Sequence, residues 1–276
     1  MNEDSPFSSL LSHLDELRKR LINSLIPFSI FTIFFLMFRF DVYYLYRIPI
    51  PYPYPDVYRN VGAQFLLLLE QHLLPAGMKI IVIKPADSLI ADLYSTMFLA
   101  LIFSMPVIVN QFSKFVGPAL KKSERRAIGN IGIPAAILFA SGAFVGLWLV
   151  APALFYIFYE FDLGLGAVSY LSLVSFTNFV LIYITAFGLS FELPVIMVGL
   201  TRAELVSSEF WRKNWRYAVV GALIFGMIFS PGAFGFTMVM MALPIIALYF
   251  GGIYFAERYE KKARAAEELE GVSESL

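Results

Sequence analysis

Leu173-Val-Ser-Phe-Thr-Asn-Phe-Val-Leu-Ile-Tyr-Ile-Thr-Ala-Phe-Gly-Leu-Ser-Phe-Glu192-Leu-Pro-Val-Ile-Met-Val-Gly-Leu-Thr201 holds a single charged residue, Glu192. A helix needs about 20 apolar residues to cross the hydrocarbon core of a bilayer, and this run is longer than that. A carboxylate in hydrocarbon costs at least about 2.5 kcal/mol on insertion scales. An acid kept there is either a working group or a hydrogen-bonded group that packs helices. Residue chemistry alone leaves both readings open.

The rest of the composition fits a membrane setting. Of 276 residues, 59% are hydrophobic and 15% are charged, where soluble domains carry about 25% charge. The formal net charge is zero, which argues against a nucleic-acid partner. There is no cysteine, so disulfides, thiol catalysis and thiolate metal sites are excluded. No cofactor signature is present. The apolar run Leu21–Phe38 follows Arg18-Lys-Arg20 and lacks a small-residue cleavage site after it. It is therefore expected to be a retained span rather than a cleaved signal.

The apolar pattern predicts an all-α integral membrane protein in one polytopic domain, residues 1–276. Spans are expected near 21–38, 89–113, 127–158, 173–200, 217–230 and 235–255, with an external loop 39–88 and a cytoplasmic tail 256–276. The fifth is short, and Ser230-Pro-Gly232 separates it from the sixth. Basic residues collect on the cytoplasmic side of membrane proteins. With six spans, the inside segments hold Arg18 to Arg20, Lys114 to Arg126, Arg202 to Arg216 and Arg258 to Arg264, while loops 159–172 and 231–234 carry no basic residue. Both termini are therefore expected inside. Pro27, Pro106, Pro134, Pro152, Pro194 and Pro244 interrupt the spans. Each removes a backbone donor and favours a kink, so short, bent helices forming a concave bundle are expected.

Loop 39–88 has two parts. The prolines of Ile48–Pro55 predict extended backbone. Val61–Leu74 reads as a short helix with Phe65, Leu66, Leu69 and Leu73 on one face, at the outer interface or capping the bundle.

Two inside segments embed acids among bases. Phe7, Leu10, Leu11, Leu14, Leu17 and Leu21 form one helical stripe, with Glu16 opposite and Arg20 four residues on. Further along, Ser123 and Glu124 suit the first turn of the third span.

His13-Leu-Asp-Glu-Leu-Arg-Lys-Arg-Leu21 resembles the N-terminal signature of the TatC family, the receptor subunits of the twin-arginine protein translocase. Pro106-Val-Ile-Val-Asn-Gln111 and Phe115-Val-Gly-Pro-Ala-Leu-Lys-Lys-Ser-Glu-Arg-Arg126 are similar to that family's second span and first cytoplasmic loop. Phe187-Gly-Leu-Ser-Phe-Glu-Leu-Pro194 resembles its fourth span, with the acid in register.

The resemblance implies a non-enzymatic receptor in the cytoplasmic membrane that binds signal peptides with two consecutive arginines and starts export of folded proteins. It also implies assembly with single-span TatA/TatB-type subunits and homo-oligomers in the receptor complex. By the same resemblance, Glu16 and Glu124 contact the arginine pair, with Phe115 and Arg18 beside them. A carboxylate accepts the planar guanidinium fork bidentately, and an aromatic ring offers a cation–π face. Glu192 and Gln111 are then intramembrane polar groups. The family often has Thr-Pro-Pro-Asp between its last two spans, and a Gln early in the last. Here Ser230-Pro-Gly-Ala233 and Gly235-Phe236 stand there, leaving Ser230 and Thr237 as the polar residues for partner contact.

The main alternative is a proton-coupled secondary transporter with Glu192 as relay. Relays use several buried ionisable groups, and Glu192 has only Gln111 and Asn178 as polar company in the sequence. No repeat relates the two halves, which weakens an inverted-repeat transporter. An intramembrane enzyme is harder still, because both histidines, His13 and His72, fall outside the spans.

Overall fold

The computed structural model describes residues 6–45, 48–116, 132–202, 204–229 and 235–274. The chain starts with α1 (Pro6–Met37) and passes directly into a hairpin of β1 (Phe38–Leu45) and β2 (Ile48–Pro55). Then come α2 (Val61–Leu73), β3 (Lys79–Ile81) and α3 (Asp87–Val116). After residue 131, α4 (Gly132–Val145) runs through a π-helical turn (Gly146–Val150) into α5 (Ala151–Gly164). Strand β4 (Tyr170–Ser172) pairs in parallel with β3. It leads into α6 (Leu173–Phe191), α7 (Leu193–Arg202), α8 (Ser208–Lys213), α9 (Trp215–Phe229) and α10 (Gly235–Glu274).

Among the described residues, five helices are long and apolar enough to cross a membrane: 14–37 of α1, 87–115 of α3, α4–α5, α6–α7, and 235–265 of α10. The expected shortness is confined to α9, with 15 residues. Two pairs of rods show their relative direction. Arg20 meets Gln111 and Phe35 meets Phe103, which sets α1 antiparallel to α3. A side chain at Gly226 would run into Met238, which joins α9 to α10 as a tight hairpin.

Two of the expected proline breaks have clear geometry. Before Pro152, the Ala151 N–H bonds back to the Gly146 carbonyl, a π-type widening of the turn that accommodates the missing donor. Before Pro194, α6 stops and Glu192 caps it, with its N–H on the Leu189 carbonyl. Pro134 sits in the first turn of α4, where no intrahelical donor is needed.

The core is aromatic. Phe139, Phe155, Phe176, Tyr183 and Phe187 are fully buried. Helix α6 is the central post: Phe176, Val180, Tyr183, Ile184 and Phe187 are all buried in it, whereas most of the apolar side chains of α1 are exposed or half-buried. Its crossing with α4 is close because two glycines allow it. A Cβ on Gly188 would lie 2.7 Å from the Phe139 ring, and one on Gly142 would lie 2.6 Å from Phe191. Close approach through small residues suits helix association in lipid, where packing rather than water exclusion drives contact. Ile22, Leu25, Ile26, Ile30 and Ile33 of α1 are exposed, an apolar face matched to lipid.

Loop 39–88 is more structured than the sequence reading. The proline segment is extended, as expected, but as half of a β-hairpin. Its partner, Phe38–Leu45, was not anticipated because proline, not alternation, dominated the reading. Helix α2 buries Leu66, Leu69 and Leu73 and caps the bundle. Pairing of β3 with β4 ties this loop to the segment before α6.

Candidate functional site

At one end of the bundle, the N-terminal half of α1 packs against the last turns of α3. The Leu14, Leu17 and Leu21 stripe faces away from protein and is exposed, so the polar side of α1 is turned to α3. There, Arg20 Nη2 donates to Glu16 Oε1 at 2.9 Å and Nη1 donates to Gln111 Oε1 at 3.3 Å. One guanidinium thus ties an acid on α1 to an amide on α3. Glu16 keeps 28% side-chain exposure, so the carboxylate is partly open to solvent. Arg18 is exposed, and Phe115 is half-buried in the last turn of α3. Glu124 lies outside the described residues.

Glu192 sits at the α6–α7 break. It is 6% exposed, and among the described residues its buried Oε1 has no hydrogen-bond partner. The two residues expected beside it are elsewhere: Gln111 accepts from Arg20, and Asn178 lines a separate groove. No relay chain is built around this acid among the described residues.

That groove, about 480 Å³, runs across Phe28 of α1, Tyr94 and Leu101 of α3, Asn178, Thr185 and Leu189 of α6, and Phe229 of α9. Its wall is apolar, with Asn178 and Thr185 the polar side chains of α6. Thr237 is buried near the start of α10, and Ser230 lies outside the described residues.

Two clusters escaped the sequence reading. Asp92 is the only charged residue from Leu89 to Ser113, as isolated in its apolar run as Glu192 is. Its Oδ2 accepts from Asn60 Nδ2 at 2.6 Å, while Asn60 Oδ1 caps α2 by accepting from Ala63 N. This pins the cap helix to the start of α3, at the opposite end from Glu16. The second cluster fastens α8 to the tail of α10. Ser208 donates to Glu260, Arg212 pairs with Glu257 at 2.8 Å, and Tyr249 donates to the Trp211 carbonyl at 2.7 Å. Such long-range pairings leave no spacing signal in a sequence. Among the described residues, no group of acids or histidines is arranged to hold a metal ion.

Comparison with known proteins gives consistent matches. The family model for the Sec-independent protein translocase protein (TatC) matches residues 12–244. A TatC of Cenarchaeum symbiosum is 36% identical over 254 residues, covering 92% of this chain and 96% of that protein. A TatC of Escherichia coli K12 is 32% identical over 259 residues, covering 94% and 92%. A crystal structure of a twin-arginine translocase receptor, TatC, superposes with a TM-score of 0.70 at 28% identity, covering 88% of this chain and 99% of that one.

Proposed function

The chain belongs to the TatC family and is a membrane subunit of a Sec-independent, twin-arginine protein translocase, and from that premise we propose how its residues divide the work. The family is a translocase component rather than an enzyme family. The protein acts as the receptor for twin-arginine signal peptides on folded cargo. Glu16 and Glu124 accept the two guanidiniums, Phe115 supplies an apolar or cation–π contact, and Arg18 stands beside them. The observation that carries this reading is the Arg20 bridge, which holds Glu16 half-open at the α1–α3 seam, next to the turn bearing Phe115. An incoming arginine can replace or join Arg20 at that carboxylate, because a partly exposed ion pair is worth only about 0.2–1 kcal/mol.

The chain spans the cytoplasmic membrane six times as a single domain, with α9 as the short fifth span and both termini on the cytoplasmic side. Charge asymmetry supports that orientation. The apolar groove, which Phe229 helps to line, takes the span of a TatA/TatB-type subunit, with Ser230 and Thr237, close to Phe229 in sequence, as the polar contacts. Copies of the chain associate in the receptor complex.

The test is photo-crosslinking of a twin-arginine signal peptide to the full chain in membranes. Glu16→Gln and Glu124→Gln should each lower the yield while the protein still inserts. Unchanged crosslinking in both variants would defeat the assignment.

A further inference from the structure

The β1–β2 hairpin has no role in the reading above, and its construction points to a ligand. Every second residue of β2 is proline: Pro49, Pro51, Pro53 and Pro55. They stand opposite Tyr44, Val42, Phe40 and Phe38. Phe40 turns its own N–H and carbonyl away from β2, to the Gln64 side chain at 3.2 and 3.0 Å. The proline positions are therefore the non-hydrogen-bonded pairs, whose N–H groups would point out of the hairpin. The outer edge of β2 carries no donors and cannot accept another strand. The free edge of β1 is occupied at Phe40 by Gln64. The hairpin thus offers faces, not edges.

Those faces differ. Cross-strand pairs share a face, so Phe38, Phe40 and Val42 lie with the prolines on one side. Arg39 and Asp41 lie with Tyr54 and Tyr52 on the other. The first face is free of charge and continues the lipid-matched helix: Phe34 of α1 stacks on Phe38 at 4.9 Å and lies 6.4 Å from Phe40. The second face neutralises itself, with Arg39 bonded to Asp41 and Asp56 and lying over the Tyr54 ring. The Asp41 hydrogen bond pushes the Arg39 guanidinium above its usual range. Phe40, Val42, Ile50, Tyr52 and Tyr54 are all exposed. Tyrosine is enriched at membrane–water interfaces, and the strands, at about 3.4 Å per residue, reach roughly 27 Å from the helix end.

We propose that this hairpin is a lipid-binding surface that lies in the headgroup region of the leaflet where α1 ends, its Phe40–Val42 face toward the acyl chains and its Tyr52–Tyr54 face toward water. The proposal rests on α1 crossing the membrane, part of the reading above. The native chain has no cysteine, so single labels are unambiguous. Val42→Cys, Tyr52→Cys and Ile30→Cys, each carrying an environment-sensitive fluorophore, are reconstituted as full chains in phosphatidylcholine vesicles. A nitroxide on the lipid chains should quench the label at 42 several-fold more than the label at 52, and aqueous iodide should do the reverse. Ile30, exposed on α1 and midway along the expected span 21–38, should respond to the lipid quencher alone. Iodide access at 42 equal to that at 52, with Ile30 still shielded, overturns the hairpin placement while α1 stands. Shielding of 42 from both quenchers identifies a protein neighbour, a second copy included, and overturns it too. Iodide access at Ile30 overturns the crossing of α1 itself.

Discussion

At the α1–α3 seam, Glu16 is half-exposed and paired with Arg20 at 2.9 Å, whereas at the α6–α7 break Glu192 is 6% exposed and its Oε1 meets no donor. The two acids teach opposite lessons. The seam pair is worth about 0.2–1 kcal/mol, so its partner is cheap to exchange, which suits recognition of an arriving guanidinium. Glu192 is buried where α6 ends before Pro194, and among the described residues no hydrogen bond reaches its Oε1.

The largest test of this contrast removes both recognition carboxylates. Each partly exposed ion pair is worth up to about 1 kcal/mol, so the Glu16→Gln/Glu124→Gln double variant should bind a twin-arginine peptide up to about thirtyfold more weakly. Titrated crosslinking measures it, and near-native binding would move recognition off the seam. The next test probes the packing that carries Glu192. Gly188→Leu drives a side chain into the Phe139 ring. It should cost about 1–3 kcal/mol by overpacking, read as a lower unfolding temperature in detergent. A variant as stable as the parent would show that the α4–α6 crossing is looser than described.

At Glu192 itself, the amide is expected to serve. Glu192→Gln should retain most export, whereas Glu192→Ala loses the polar group and more activity with it. Export abolished equally by both would revive a titrating relay. The smallest effect is expected at Arg20. Arg20→Lys keeps the charge but has no fork with which to hold Glu16 and Gln111 together. The loss of orientation should weaken peptide binding only a few-fold, within the roughly 1 kcal/mol of an exposed pair. A loss as large as that of the double carboxylate variant would make Arg20 a binding residue in its own right.

Much of this architecture is legible in the residues because bilayer physics is one-dimensional. Apolar run length marks the long helices, and proline marks the break at Glu192 and the π turn before Pro152. The extended Ile48–Pro55 segment follows from proline's fixed φ. What escaped depends on pairing between distant residues. Strand β1 is visible only once its partner across the turn is known. The Asp92–Asn60 latch spans two helices, and the α8–α10 clamp joins segments about fifty residues apart. Asp92 is an exception, since its isolation in an apolar run was available to inspection.

The sequence by itself settled that this chain is a helical membrane protein of the TatC family, because hydrocarbon admits few alternatives to long apolar helices and the charged motifs flanking them survive as linear strings. Only the tertiary structure decided what each acid faces. Arg20 turns Glu16 toward α3 because two antiparallel helices bring Gln111 within reach. Glu192 is buried at the end of α6 and is not among the residues lining the groove. Burial and partner choice arise from contacts between chain segments, and no single helix encodes them alone.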